Sequence, residues 1–202
     1  MATMARTQTD VTPAIARIGP NALIQTVQAL QHYRSLDTAL QVLESIGEAH
    51  IIAQPPTDMV TETRFITLVQ AVVARMGEDA SAVILKQAGR QTADYLLVHR
   101  IPMMFQRMLV WVPPQWGARL FLMAIEQHAW TFIGSGRFSY RIRPTLQLTV
   151  TCSDQHHPLV AAFFAGTFET LFRTLIHEQI TFDCSQTHGS DEFLFDYVAQ
   201  IP

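Results

Sequence analysis

The hydrophobic period of this chain changes at Gly134-Ser135-Gly136. Before this glycine break, apolar residues recur at intervals of three and four, which is typical of amphipathic helices. After it, two extended segments, a strong helical pattern and two more extended segments follow. The predicted order is strand–strand–helix–strand–strand, over residues 137–142, 146–152, 158–177, 180–184 and 192–198. This order predicts an α+β fold in which a helical N-terminal half packs on a small four-stranded antiparallel sheet.

Capping and breaking residues place the helices of the N-terminal half. Asn21 and Ser35 are positioned to cap the first two helices, and Pro113-Pro114 is typical of a helix end. Gly89 and Ala93 lie four residues apart on one face of the fourth helix, which would let another helix approach closely. The six predicted helices cover about residues 21–33, 35–46, 61–77, 79–98, 102–111 and 116–132.

We expect a single α+β domain over residues 20–202, with a flexible N-terminal arm over residues 1–19 and a ββαββ core over residues 136–198. A length of 202 residues suits one domain. The arm has no basic stretch followed by an apolar core, so the sequence predicts no secretory signal. Cys152 and Cys184 provide no disulfide framework, and we therefore expect a cytoplasmic location.

Charged residues make up only 15% of the sequence and hydrophobic residues 49%. Because soluble domains usually have about a quarter charged residues, we expect apolar surface that meets a subunit, a membrane face or a bulky ligand. Met103–Val112 is too short to span a bilayer, and Leu159–Ile176 contains charged residues. Peripheral membrane contact and a homodimer both stay open. The net charge of −3 disfavours nucleic acid as a partner.

One segment around the glycine break has the side chains that a flat macrocycle needs. His128, Trp130 and Phe132 occupy alternate positions, and Arg137 follows them. Rings can stack on a tetrapyrrole, an imidazole can ligate its metal, and a guanidinium can pair with its carboxylates. We therefore predict a ligand pocket here, between the helices and the sheet. The alternative is that both rings belong to an ordinary core and the histidine is their polar neighbour.

A second group of basic and aromatic residues precedes this segment. His99 and Arg100, with Arg107, Trp111 and Trp116, could form a rim that holds propionate-like groups. The alternative is a solvated helix end whose arginines extend along the surface. For an axial metal ligand of a tetrapyrrole, His128 is the first candidate and His99 the second.

Sequence signals for redox cofactors and metals are weak. Gly134-x-Gly136 follows a helix and lacks a third glycine, so it is not a dinucleotide fingerprint. Two cysteines cannot hold a cubane iron–sulfur cluster, and the spacing of His156-His157 with Cys152 matches no standard zinc pattern. The sequence therefore predicts no catalytic residue, no metal site and no covalently bound cofactor.

The segments Gly89–Leu97, His99–Pro102 and His128–Arg137 resemble the bacteriochlorophyll 4-vinyl reductase (BchJ) family, with its vinyl-reductase-type small-molecule-binding domain. The resemblance covers residues 61–202 and includes the turn around Gly189. It implies a fold similar to a vesicle-tethering subunit with a lipid-sized pocket, and a tetrapyrrole intermediate as ligand. It also implies partners among enzymes of bacteriochlorophyll biosynthesis, such as magnesium chelatase.

The chain departs from the family pattern at one turn. Many members of the wider family have a Cys-x-x-x-Gly-x-x-x-Cys sequence, whereas Ser185 and Phe193 occupy the cysteine positions here and Cys184 lies one residue early. Any metal or redox role of that turn is therefore in doubt.

Three functions follow as hypotheses. The first is a carrier or accessory protein that binds a tetrapyrrole of the Mg-protoporphyrin or divinyl protochlorophyllide type. The second, implied by the family name, is a 4-vinyl (8-vinyl) reductase that depends on an external reductant, because no nucleotide, flavin or iron–sulfur site is visible. The third is a dimeric structural adaptor that binds no pigment.

Overall fold

A computed structural model describes residues 16–142 and 145–201, apart from the side chain of Trp130. Its helices are α1 (Asn21–Tyr33), α2 (Leu36–Ser45), α3 (Glu62–Met76), α4 (Glu78–His99), α5 (Met103–Trp111), α6 (Pro114–His128), α7 (Trp130–Ile133) and α8 (Val160–Leu175), with a 3₁₀ helix over Ala49–Ile52. Its strands are β1 (Arg17–Ile18), β2 (Val60–Thr61), β3 (Arg137–Arg141), β4 (Leu146–Ser153), β5 (Asp183–His188) and β6 (Glu192–Ala199).

Strands β3 to β6 form a four-stranded antiparallel sheet in the order β3-β4-β6-β5. Helix α8 connects its two hairpins, so the predicted α+β arrangement is confirmed. Strand β5 runs from Asp183 to His188 rather than over residues 180–184. The N–H of Ile180 bonds to the carbonyl of His177 in a turn after α8, so the strand begins later than predicted. Buried apolar side chains from Ile18 to Ala199 form one cluster between the helices and the sheet. Among the described helices, none has the length and apolar character that crossing a bilayer requires.

A small second sheet holds the beginning of the described chain. Arg17 and Ile18 of β1 pair with Thr61 and Val60 of β2, and Ile18 is buried. The predicted arm over residues 1–19 is therefore too long at its C-terminal end, since β1 belongs to the folded structure. Residues 1–15 lie outside the described part of the chain.

Local signals fix most helix ends, with two differences from the prediction. Ser35 caps α2 as expected, since its Oγ accepts a hydrogen bond of 3.1 Å from the backbone N–H of Thr38. Asn21 is the first residue of α1 and not its cap. The predicted helix over 116–132 begins earlier, at Pro114, and is interrupted at Ala129 between α6 and α7.

Helices α4 and α8 cross with their backbones in close contact. A Cβ atom added at Gly89 would overlap the carbonyl oxygen of Phe163, and one added at Gly166 would overlap that of Lys86. The hydroxyl of Thr167 donates a hydrogen bond of 3.1 Å to the carbonyl of Gly89. The close approach expected at Gly89 is confirmed. Gly166 on α8 lies against the backbone of α4 in the same way.

We predict that Gly89→Ala lowers the free energy of unfolding by roughly 1–3 kcal/mol, because the added methyl group forces α4 and α8 apart. Urea denaturation of the purified protein measures this change. Gly117→Ala in α6 is the matched control, since its Cβ would lie 3.3 Å from the nearest atom, the carbonyl oxygen of Leu109. Equal denaturation midpoints for the two variants would contradict the reasoning.

A buried carboxylate joins α3 to two loops beside the sheet. Oε2 of Glu62 accepts a hydrogen bond of 2.9 Å from the N–H of Ser135. Its Oε1 lies 3.3 Å from Nε2 of His156, off the direction of a good hydrogen bond, and both side chains are buried. Gly134 has φ +67° and lies against the carboxylate, so a side chain there would be strained and would collide with it. The pair therefore fixes the turn that leads into β3.

Burial lowers the pKa of His156 below its ordinary value of 6.5, because a buried imidazolium loses its hydration. The neighbouring Glu62 carboxylate acts in the opposite direction. Near pH 6.5 the unfolded chain takes up a proton on this residue, whereas the folded chain takes it up only at lower pH. The native state therefore loses stability as the pH falls below 6.5.

We predict that His156→Gln makes the stability of the fold less sensitive to acid. The drop in unfolding free energy between about pH 7.5 and 5.5 should be smaller than in the unchanged protein, because one proton-binding difference is removed. Chemical denaturation at the two pH values measures the drop. His32→Gln, on the exposed surface of α1, should keep the original drop. Equal drops in all three proteins would show that burial of His156 has no such role.

Candidate functional site

The strongest candidate site is a cluster of rings where the helices meet the sheet. The ring of Phe132 lies 6.3 Å from that of Phe138, 6.4 Å from Phe164 and 6.5 Å from Phe168, measured between centroids. Phe164 and Phe168 are buried on α8. Phe132 and Phe138 are only half-buried, because β3 is an edge strand of the sheet.

Strand alternation orients β3 toward this cluster. Phe138 and Tyr140 face the helices, opposite Val150 and Leu148 of β4, and their ring centroids are 6.2 Å apart. Neither residue is among the site residues predicted from the sequence. The signal was present, since they alternate with polar residues from Arg137 to Arg141.

The rings contact one another edge to face. The ligand pocket expected beside Phe132 stays a prediction, and the half-exposed outer side of the rings is one surface against which a macrocycle could lie. A cavity that the structure does describe has a volume of about 80 Å³ and lies elsewhere, between α1 and residues 51–55. Small-molecule pockets usually measure about 300–1,000 Å³, so that cavity is too small for a tetrapyrrole.

His128 ends α6 with its ring exposed to solvent. Its Nδ1 lies 2.9 Å from the carbonyl oxygen of Ala124. A hydrogen bond from Nδ1–H to this carbonyl selects the tautomer whose lone pair is on Nε2. Histidines that ligate metals commonly have this arrangement, with one ring nitrogen donating to a carbonyl and the other binding the metal. The structure therefore presents His128 in a suitable form for an axial ligand.

Trp130 lies in α7, but its side chain is outside the described part of the structure. The predicted role of this ring therefore stays a prediction. Its backbone neighbour Thr131 accepts a hydrogen bond of 2.7 Å from the N–H of Gly19, which attaches α7 to the residue that follows β1.

Arg137 does not join the ring cluster. It lies on the face of the sheet opposite Phe138, because successive residues of a strand point to opposite sides. There its guanidinium pairs with Glu192 of β6 at 2.7 Å, with the arginine side chain 70% exposed. The alternation from Arg137 to Arg141 already indicates this, since a strand that directs Phe138 and Tyr140 toward the helices directs Arg137 away from them.

The second predicted group lies at the end of α4 and on α5. The ring of His99 stacks on Tyr95 with centroids 4.6 Å apart, and Arg100 and Arg107 are exposed. Trp111 is 88% exposed. Trp111 is the last residue of α5, close to the beginning of α6, and His128 is the last residue of α6. Most of the length of α6 therefore separates Trp111 from His128.

The two cysteines lie on the sheet and are free. Burial raises the pKa of the Cys152 thiol to about 12, so it stays protonated at neutral pH. Cys184 is exposed opposite Tyr197, and Ser185 pairs with Asp196. In residues 16–142 and 145–201, no three His, Cys, Asp or Glu side chains converge in a way that could hold a metal ion.

The fold is similar to that of H-NOX domains. A chain from a study of heme distortion in the H-NOX family matches with a TM-score of 0.60 at 12% identity, covering 92% of this chain and 96% of that one. An oxygen-binding H-NOX domain related to soluble guanylate cyclases, in its oxygen complex, matches with a TM-score of 0.55 at 12% identity, covering 92% and 96%. The expected likeness to a vesicle-tethering subunit is therefore corrected to a likeness to H-NOX domains.

Sequence comparison gives the family. No family model matches the chain. The bacteriochlorophyll synthase 23 kDa chain of Rhodobacter capsulatus is 34% identical over 184 residues, covering 86% of this chain and 83% of its own length. Its counterpart from Cereibacter sphaeroides is 34% identical over 174 residues, covering 81% of both chains. The resemblance to a bacteriochlorophyll-biosynthesis family is confirmed, and the chain belongs to the family of the bacteriochlorophyll synthase 23 kDa chain.

Proposed function

We propose that this protein binds a tetrapyrrole precursor of bacteriochlorophyll and acts as a carrier or accessory protein in bacteriochlorophyll biosynthesis. The observation that supports this most is the half-exposed ring cluster of Phe132, Phe138 and Tyr140 at the edge strand β3. The names of the related chains point to the same pathway. Solved chains with this fold come from work on heme, which is also a tetrapyrrole.

The ring cluster suits one face of a flat apolar ligand. Phe132 and Phe138 would contact the macrocycle, and the buried rings of Phe164 and Phe168 support them from below. Aromatic contacts of this kind contribute about 0.5–1.5 kcal/mol beyond the apolar area that they bury. Trp130, which lies between His128 and Phe132 in the sequence, stays a proposed stacking residue.

A metal-containing tetrapyrrole would need one further group. His128 is the proposed axial ligand, because its Nδ1 bonds to the carbonyl of Ala124 and its Nε2 is left to face a metal. His99 is the alternative, and Arg100 is the proposed partner for a ligand carboxylate. Arg137 is not included, because it lies on the opposite face of the sheet and pairs with Glu192. Arg107 and Trp111 stay proposed members of the same basic and aromatic group as His99 and Arg100.

We predict that Phe132→Ala weakens pigment binding roughly tenfold, the equivalent of about 1.4 kcal/mol. Titration of purified protein with Mg-protoporphyrin, followed by the shift of the Soret band, measures the dissociation constant. Phe182→Ala is the matched control, because Phe182 is also half-buried but packs on Phe172, with ring centroids 5.3 Å apart, in the connection before β5. The absence of any Soret shift at tens of micromolar protein would refute pigment binding itself.

We predict that His128→Ala weakens binding of Mg-protoporphyrin while leaving metal-free protoporphyrin unaffected, since only the first has a metal to ligate. The two titrations are run side by side, with His99→Ala as the competing variant. A loss that appears only in His99→Ala would transfer the role to that residue. Equal losses for both pigments would mean that His128 contributes packing and no metal bond.

A further inference from the structure

Helices α5 and α6 present an apolar surface on the outside of the fold. We call this surface the α5–α6 face and define it by six exposed side chains: Met104, Met108, Trp111, Trp116, Leu120 and Met123. Met104 is 84% exposed and Trp111 88%. Isolated exposed apolar residues are ordinary, but six of them on two neighbouring helices mark an interaction surface.

The attachment of α5 explains why so much of it is exposed. Leu109 is its one buried residue. The side-chain amide of Gln106 donates hydrogen bonds to the carbonyls of Leu97 and Ile101, at 2.6 and 2.7 Å, and so fixes α5 to the end of α4. The helix is therefore held by one side, and its methionines and tryptophan point away from the core.

Helix α6 has apolar residues on both of its faces. Its inner face buries Gly117, Ala118, Phe121 and Leu122. Its outer face has Trp116, Leu120 and Met123 at positions i, i+4 and i+7, where a surface helix of a soluble domain normally has polar residues. Gly117 also lets α6 approach the backbone of Leu109, so the two helices lie side by side.

The charged side chains in this region of the sequence are all basic. Between Asp94 and Glu126 the sequence contains no acidic residue, whereas Arg100, Arg107 and Arg119 are all present and exposed. The chain as a whole has a net charge of −3, so this basic region is a local exception. Basic side chains beside exposed tryptophan and methionine are the composition of segments that lie in a membrane interface.

We propose that the α5–α6 face docks on a bilayer that contains anionic phospholipids. The nine residues of α5 cover only about 14 Å, so the helix lies in the plane of the interface and does not cross it. A second copy of the chain fits less well as the occupant, because a two-fold interface would bring Arg107 and Arg119 of both copies together without a carboxylate from this segment. A bilayer provides both the apolar layer and the negative headgroups.

The first experiment measures binding of the full chain to vesicles. Flotation with phosphatidylcholine vesicles containing about a third phosphatidylglycerol is compared with phosphatidylcholine alone, at low and at high salt. We expect binding to the anionic vesicles, reduced by salt because surface charges are screened. Tryptophan emission should move to shorter wavelength at the same lipid concentration. Absence of flotation with anionic vesicles at low salt would overturn the proposal.

Variants then test the apolar and the basic parts separately. Met104→Glu with Trp111→Glu should weaken vesicle binding at least roughly tenfold, because the apolar contact is replaced by charges that the headgroups repel. Arg107→Gln and Arg119→Gln should each weaken binding to anionic vesicles roughly fivefold and leave the neutral vesicles unaffected. Val83→Glu is the matched control, since Val83 is 52% exposed on α4, and it should bind as the unchanged protein does.

Two further outcomes would overturn the proposal. If the doubly substituted protein floats as well as the Val83→Glu control, the α5–α6 face is not the contact. If sedimentation shows a dimer that Met104→Glu with Trp111→Glu converts to a monomer, and neither protein binds vesicles, then the face is covered by a second copy. Pigment titration does not enter these measurements, so their failure leaves the proposed function standing.

Discussion

The crossing of α4 and α8 is the contact on which the rest of the fold depends. Gly89 and Gly166 each lie against the backbone of the opposite helix, and the Lys86–Glu169 pair, at 3.0 Å, lies beside them. Because the two backbones touch, α8 cannot shift along α4 without a collision. The crossing therefore fixes the position of α8 relative to the sheet. Phe164 and Phe168 on this helix are held where Phe132 packs on them.

Much of this architecture follows from local signals. The change of period at the glycine break separates helices from strands, since a pattern of three and four cannot alternate across a sheet. Apolar and polar residues alternate in β4 and β6, which indicates strands with one buried face. Ser35 caps α2 and Gly89 allows the close approach of α8, both as expected. The family resemblance also followed from short segments, and the related chains confirm it.

The candidate site was less predictable, because it depends on orientation across long sequence separations. Arg137 follows the aromatic segment closely, yet strand geometry turns it to the opposite face, toward Glu192. The contact of Glu62 with His156 joins residues from opposite halves of the chain, and neither residue belongs to a recognisable motif. The exposure of Trp111 could not be predicted either, because the composition indicates that apolar surface is exposed but not which residues form it.

Helix α6 takes part in both proposals, the tetrapyrrole site and the contact with a bilayer. Its outer residues Trp116, Leu120 and Met123 extend over about half of its length, so docking through them would lay this part of the helix along the bilayer surface. Its last residue, His128, lies about 16 Å along the axis from Gly117 and, at 3.6 residues per turn, on the side of the helix rather than on this outer face. The proposed ligand combines an apolar ring with carboxylate edges, as an interfacial helix combines an apolar and a polar face. A carrier docked in this orientation would therefore meet its ligand at the membrane surface without crossing the aqueous phase.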